Sequence, residues 1–494
     1  MQGGLSIGGA AAYHAARMAA IEKELCFTSL RALSGLLRAR QLSARELMAA
    51  QLRQIERLNP RLNAIVAKLP DEACLRLADE ADRGLRPGEA RGPLHGVPWA
   101  FKDMESVTGF PCTLGSLVYR AHYPPADSLL VARLRRAGVL PIGKTNVPEL
   151  GMGSQTYNAV YGTTRNAWDD TRTAGGSSGG AAVAVACGML AGADGSDLGG
   201  SLRNPANFNG IVALRPSAGL VPAAPTLLPF LGLAVKGPLA RSVTDVAFLL
   251  SVMAGPDPAD LACQPCDPEA FAAPLERSFR GTRIAWCPDL GGLPLDRRVR
   301  DVLDSRRRTF ESLGCIVEQT APDLSDADEI FLVLRAWRAW THYGALLPAH
   351  RATLKPEAVE EIERGGRLSG AQVSSAMVRH AALLERLRRF QQSHPFIVCA
   401  VNQVPPFEAE LHWPTHIEGV AMEHYIAWMK SAYWISTTLC PAISVPAGFT
   451  ADGLPVGIQI VGPYREDLAV LQLAHAFESA GSIAGRHPPA ALAP

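Results

Sequence analysis

Residues 181–190 (AAVAVACGML) carry no charge, and glycine- and serine-rich runs bracket them. Gly175-Gly176-Ser177-Ser178-Gly179-Gly180 precedes the segment and Asp197-Leu198-Gly199-Gly200-Ser201-Leu202-Arg203 follows it closely. Such a segment reads as a helix buried on every side, so the chain must supply a core large enough to enclose it. A length of 494 residues allows this, as one very large domain or as two to three smaller ones. Strand and helix patterns alternate along most of the chain, which points to the α/β class.

Residues 29–68 read as two helices. The second opens on a capping box, Ser43 to Glu46, continues with Leu47, Leu52, Ile55 and Leu58 at helical spacing, and is expected to stop at Asn59-Pro60. Residues 96–102 form a short apolar strand ending in Lys102. A helix over 127–137 and a strand over 139–142 follow. Residues 148–180, dense in Gly, Ser, Thr and Asn, read as a functional loop. The arginine-laden helices over 296–313 and 375–391 have the pattern of solvated faces. Residues 325–430, with Trp337, Trp340, Trp413 and Trp428, read as a helical cap. Residues 444–449 and 456–461 flank a turn at Ala451-Asp452-Gly453.

Composition excludes several function classes. Lys+Arg number 48 against 47 Asp+Glu, so no basic face for nucleic acid is expected. The uncharged run 216–235 contains four prolines and cannot be a spanning helix. The first twenty residues lack the basic start of an export signal and read as an extension. Ten scattered cysteines with a single CxxC, Cys263 to Cys266, do not make a zinc ribbon. They fit reduced thiols in a cytoplasmic protein.

The two glycine-rich loops and the lysine-ended strand form a chemical constellation. A helix of about eleven residues spans roughly 16 Å, and about five extended residues cover the same distance back. Ser177 and Ser201 can therefore share one pocket, and the glycines let backbone N–H groups approach a ligand, as an oxyanion hole requires. Two other arrangements compete. Gly176-Ser177-Ser178-Gly179-Gly180 also fits G-x-S-x-G with Ser178 at its centre and His95 as a base. That elbow needs a strand directly before it, and 169–173 is a polar loop. His412 and His416 have metal-ligand spacing, but Pro414 breaks the helix that would align them.

The joined motifs resemble the amidase signature family of serine hydrolases. They run through SARELMAAQLRQIERLNPRLNAIV, LHGVPWAFKD, PIGKTNVPELGMGS, YGTTRNAWDDTRTAGGSSGGAAVAVA and DGSDLGGSLRNPANFNGIVALRPSAGLVP. They resume in PAISVPAGFTADGLPVGIQIVG, leaving only about 265–430 without clear family motifs. The resemblance implies one amidase domain over 26–485, between an extension (1–25) and a tail (486–494). Its mixed central sheet would carry helices on both faces and a cap-like insertion.

It also implies a triad: Ser201 as nucleophile, Ser177 as the bridging serine after a cis Gly176–Ser177 peptide, and Lys102 as base. The amides of Leu198, Gly199, Gly200 and Ser201 would hold the oxyanion, Ser178 would orient the lysine, and Asp197 with Arg203 would brace the loop. Leu198 departs from the commoner Thr or Ile. Ala213 and Arg215 depart from the usual Gly and Lys and are read as lying outside the site. Gly151, Met152, Gly153, Ser154, Gln155, Trp340 and Trp434 are candidate substrate contacts.

The expected activity is hydrolysis of small to medium hydrophobic or aryl amides through an acyl-enzyme, with carbamates and esters also open. No metal, cofactor, nucleic acid or membrane is expected, and the chain would be a monomer or homodimer. The alternative within the family is the glutaminase component of a tRNA-dependent amidotransferase. The segment 153–157 and the tryptophan-rich 334–434 look unlike that branch and favour a free-standing enzyme.

Overall fold

The computed structural model describes residues 24–84, 92–481, 483 and 486–492. The extension expected over 1–25 therefore falls outside it, apart from Glu24 and Leu25. Helices α1 (Leu30–Arg38) and α2 (Ala44–Leu62) open the fold. The Ser43–Glu46 capping box forms as expected. Pro60 does not stop α2, which runs on through Leu62 to a left-handed Asn63. The Asn59 side chain binds Ala64 and Ile65 beyond the helix end and so holds that last turn.

Strands β1 (Ile65–Val66), β2 (Pro98–Lys102) and β3 (Leu140–Thr145) form a small sheet in the order β1-β3-β2. The uncharged segment becomes α3 (Gly179–Ala186), every residue of which is buried. It packs so closely that a Cβ on Gly180 would lie 2.3 Å from the Asn146 nitrogen and 2.4 Å from the Ala64 oxygen. Then come β4 (Gly192–Asp197), α4 (Arg203–Asn209), β5 (Val212–Arg215), β6 (Val235–Ala240), α5 (Val243–Met253), β7 (Arg283–Trp286) and β8 (Ile316–Gln319). The C-terminal part supplies α6 (Ala327–Tyr343), α7 (Pro356–Gly366), α8 (Gly370–Gln391), β9 (Phe396–Ala400), α9 (Lys430–Thr437), β10 (Ala442–Phe449), β11 (Pro455–Val461) and α10 (Asp467–Gly481).

The main sheet has eight strands in the order β8-β7-β9-β11-β10-β5-β6-β4. The first three are mutually parallel and the remaining pairings antiparallel, which makes the sheet mixed. Both its faces are covered. Along β9, Phe396, Val398 and Ala400 enter the main core while Ile397 and Cys399 enter a second core with Leu334 of α6 and Leu383 of α8. This period-two partition is what a sheet buried on both sides requires. Residues 325–430 are thus not wholly helical: β9 runs through them into the middle of the sheet.

Two carboxylates, buried Asp467 and half-buried Glu478, tie helix α10 to the loop after β5 and to the first residue of α5. Asp467 accepts from the Ser217 amide (2.8 Å) and hydroxyl (2.6 Å), and Glu478 accepts from the Val243 amide. Burial pushes Asp467 up to about 6 and Glu478 up to about 7. Of the expected tail, Ala490 and Ala491 accept from Arg57 on α2. Among the described residues no helix is long and apolar enough to cross a membrane, and all ten cysteines are free thiols.

Candidate active site

Strand β2 delivers Lys102 to the end of the small sheet, fully buried, with Trp99 and Phe101 buried beside it. Its Nζ lies 2.8 Å from Ser177 Oγ, 2.9 Å from Ser178 Oγ and 2.9 Å from Ser196 Oγ. Burial, the largest effect, draws the ammonium down to about 7 against the opposing pull of Asp194, Asp197 and Glu105. Asp194 takes the Lys102 backbone N–H and the Trp99 indole N–H, and its own burial raises it to about 6.

The loop before α3 turns through a cis Gly176–Ser177 peptide. Ser154 Oγ donates to the Gly176 carbonyl (2.5 Å) and accepts from Asn204 (2.8 Å). The Ser178 amide donates to the Ser201 carbonyl at 3.1 Å, which stitches the two glycine-rich loops together. Ser177 and Ser201 both open onto one cavity of about 710 Å³.

Asp197, at the end of β4, organises the second loop. Its Oδ1 accepts from the Gly200 amide (2.9 Å), Arg203 (3.0 Å) and Arg215 (3.2 Å). Its Oδ2 accepts from Arg203 Nε (3.0 Å) and the Leu202 amide (3.2 Å). Burial alone would raise this carboxyl, but the two guanidiniums hold it well below the usual carboxylate range. Arg203 continues to the Ala432 carbonyl, Gln459 and Ser436, so α9 and β11 are fixed to the loop as well.

Two expectations change here. Arg215 does not lie outside the site: wholly buried, it reaches Asp197 and the Leu233 carbonyl. Gly200 cannot serve an oxyanion as arranged, because its N–H is spent on Asp197. Its φ of 110° and a neighbouring Asn204 side chain explain why only glycine fits. Among the described residues the amides of Leu198, Gly199 and Ser201 donate to no protein acceptor.

Gly151, Met152 and Gly153 line the cavity. Ser154 and Gln155 do not. Ser154 holds the Gly176 carbonyl, and Gln155 donates to the Ala409 carbonyl at 2.7 Å. Trp340 and Trp434 are also off the cavity wall. Trp340 lies over Gly365 and Gly366 of α7, and Trp434 donates to Asp328. The wall instead receives Phe331, Arg335 and Arg338 from α6, together with Ile426 and Met429. Tryptophan content marked the region without telling which helical face turns inward.

Neither competing arrangement assembles. The His95 ring faces the Ala81 carbonyl at 3.2 Å, and no strand precedes Ser178. His412 meets Glu357 and His416 meets Thr415. Among the described residues no group of three or more His, Cys, Asp or Glu could hold a metal ion.

The family model for amidases matches residues 46–471. The chain belongs to the amidase signature family. This amidase-family hydrolase is 33% identical over 475 residues to an acylamidase of Rhodococcus erythropolis, covering 94% of this chain and 98% of that one. It is also 33% identical over 488 residues to a glutamyl-tRNA(Gln) amidotransferase component of Synechococcus sp. (strain CC9605), covering 93% and 97%. Among solved structures, a bacterial aryl acylamidase of the amidase signature enzymes family superposes with a TM-score of 0.86. The identity there is 28%, over 92% of this chain and 96% of that one.

Proposed function

We propose that this chain is a free-standing amidase that cleaves hydrophobic or aryl amides through an acyl-enzyme on Ser201. The observation that carries this reading is a fully buried lysine drawn down to about 7 and hydrogen-bonded to serine hydroxyls. A serine becomes nucleophilic only when a neighbour removes its proton, and a neutral amine can do so. In this reading Ser201 Oγ attacks the amide carbon while its proton passes to Ser177, whose own proton passes to Lys102. The amides of Leu198, Gly199 and Ser201 receive the developing oxyanion. Collapse breaks the C–N bond, the relay returns a proton to the departing amine, and water then releases the acid by the reverse sequence.

The apolar wall formed by Leu150, Met152, Phe331, Ile426 and Met429 supports a hydrophobic substrate. Carbamates and esters pass through a similar tetrahedral intermediate and belong to the same reading. The likeness to amidotransferase components makes glutamine the comparison substrate.

Two variants test the assignment on an aryl amide. Ser201→Ala should lower turnover to near background, whereas His95→Ala should keep turnover per folded molecule. Full activity in Ser201→Ala, or preference for glutamine over the aryl amide, would overturn it.

A further inference from the structure

We infer that Arg338 is a recognition site for a carboxylate at the far end of the substrate, so that the preferred amides carry an acidic terminus. The inference rests on the proposed amidase reading of the same cavity and names its substrate class.

The charges on the cavity wall can be paired off one by one. Four carboxylates line it: Glu105, Asp197, Asp260 and Glu361. Glu105 pairs with Lys236 at 2.7 Å, and Asp197 holds Arg203 and Arg215. Asp260 accepts from the amides of Ala223 and Ala262. Glu361 has both oxygens engaged, by Arg335 at 2.5 Å and by Arg364 at 2.7 and 2.8 Å. Of the cations on the wall, Lys236 and Arg335 are thus matched. Arg338 is not: among the described residues its guanidinium has no ion pair and no hydrogen bond. Its electrostatic neighbours are the Tyr343 phenol, Arg335 and the cavity-lining His342. A half-buried guanidinium on the cavity wall beside a second cation is a standing demand for an anion, and its planar fork suits a carboxylate.

Position sets the distance. Phe331, Arg335, Arg338 and His342 recur at helical spacing on the inward face of α6. Phe331 abuts the second glycine-rich loop, its Cζ 2.9 Å from where a Gly199 Cβ would stand. Arg338 is seven residues further along, so the anion site lies about 10 Å from the scissile carbonyl at 1.5 Å per residue. That is the reach of about three extended residues. An acyl or amine arm of this length ending in a carboxylate would fill the cavity and meet the unmatched charge.

Octanoyl p-nitroanilide and the mono-p-nitroanilide of suberic acid have equal chain length and differ in the terminal carboxylate. Wild-type enzyme should favour the suberyl substrate in kcat/KM, with the preference shrinking as salt rises. Arg338→Ala should reduce the suberyl-to-octanoyl ratio by about 10- to 100-fold, mostly through KM, as expected for losing a charge-assisted contact. Arg338→Lys should restore part of it. Arg367→Ala, an exposed arginine just past α7, should leave the ratio alone. An unchanged ratio in Arg338→Ala, or a wild-type preference for octanoyl, overturns the inference while leaving the amidase reading intact. Absence of any wild-type turnover of octanoyl p-nitroanilide would overturn that reading instead.

Discussion

Replacing Lys102 by methionine should lower kcat/KM on an aryl amide by about 10²- to 10⁴-fold, the range general-base catalysis supplies, while the protein still folds. Methionine preserves the length and the apolar stem but cannot accept a proton. The same argument fixes the pH profile. An amine drawn down to about 7 is protonated and idle below that value and neutral above it, so kcat/KM should rise through about pH 7 and stay high into the alkaline range. Lys102→Arg should be inactive at every pH, because guanidinium does not release its proton. Initial rates across pH 5–10, with circular dichroism as a check on folding, would decide the matter. A rate that falls on the alkaline side near neutrality, or an active methionine variant, would remove the lysine from the chemistry.

The second large effect concerns stability. Asp197→Asn keeps the shape of the side chain but leaves Arg203 and Arg215 buried without their carboxylate. Breaking a buried pair from one side costs roughly 3–5 kcal/mol. The urea midpoint should fall accordingly, and activity should fall with it, because the single amide oxygen of Asn can accept from only one of the Gly200 and Leu202 amides and its NH2 group opposes the other. Removing a surface pair such as Arg283–Glu318, by Arg283→Ala, should cost less than about 1 kcal/mol. Equal losses in the two variants would show that the buried cluster is not what holds the loop.

What could be read from the sequence follows the physics of each signal. Lys102, Ser177 and Ser178 stand in motifs whose order and spacing survive in one dimension, and the structure brings them together. The uncharged run at 181–190 announced its burial. Strand β9, FIVCA, was not legible, because a short run apolar on both faces has no period to separate it from a buried helix. Arg215 was misplaced because β6 lies between β5 and β4 in the sheet, and only a long side chain crosses that gap to Asp197. The Gly200 amide was miscounted because sequence does not say where an N–H points. Trp340 stands two positions from Arg338, which on a helix turns it to the far side.

The acids that fasten α10 give the molecule an asymmetric response to mild acid. Asp467 and Glu478 are favoured in their neutral forms by the fold. Their contribution is complete at pH values below those of the unfolded chain and is lost as pH rises through about 6 to 7. Acidification from pH 8 to 5 therefore tightens this attachment, while Asp197, held far lower, keeps its charge. The same change protonates Lys102 and stops catalysis. At pH 5 the enzyme should be dormant but intact, ready to resume work once the medium is neutralised.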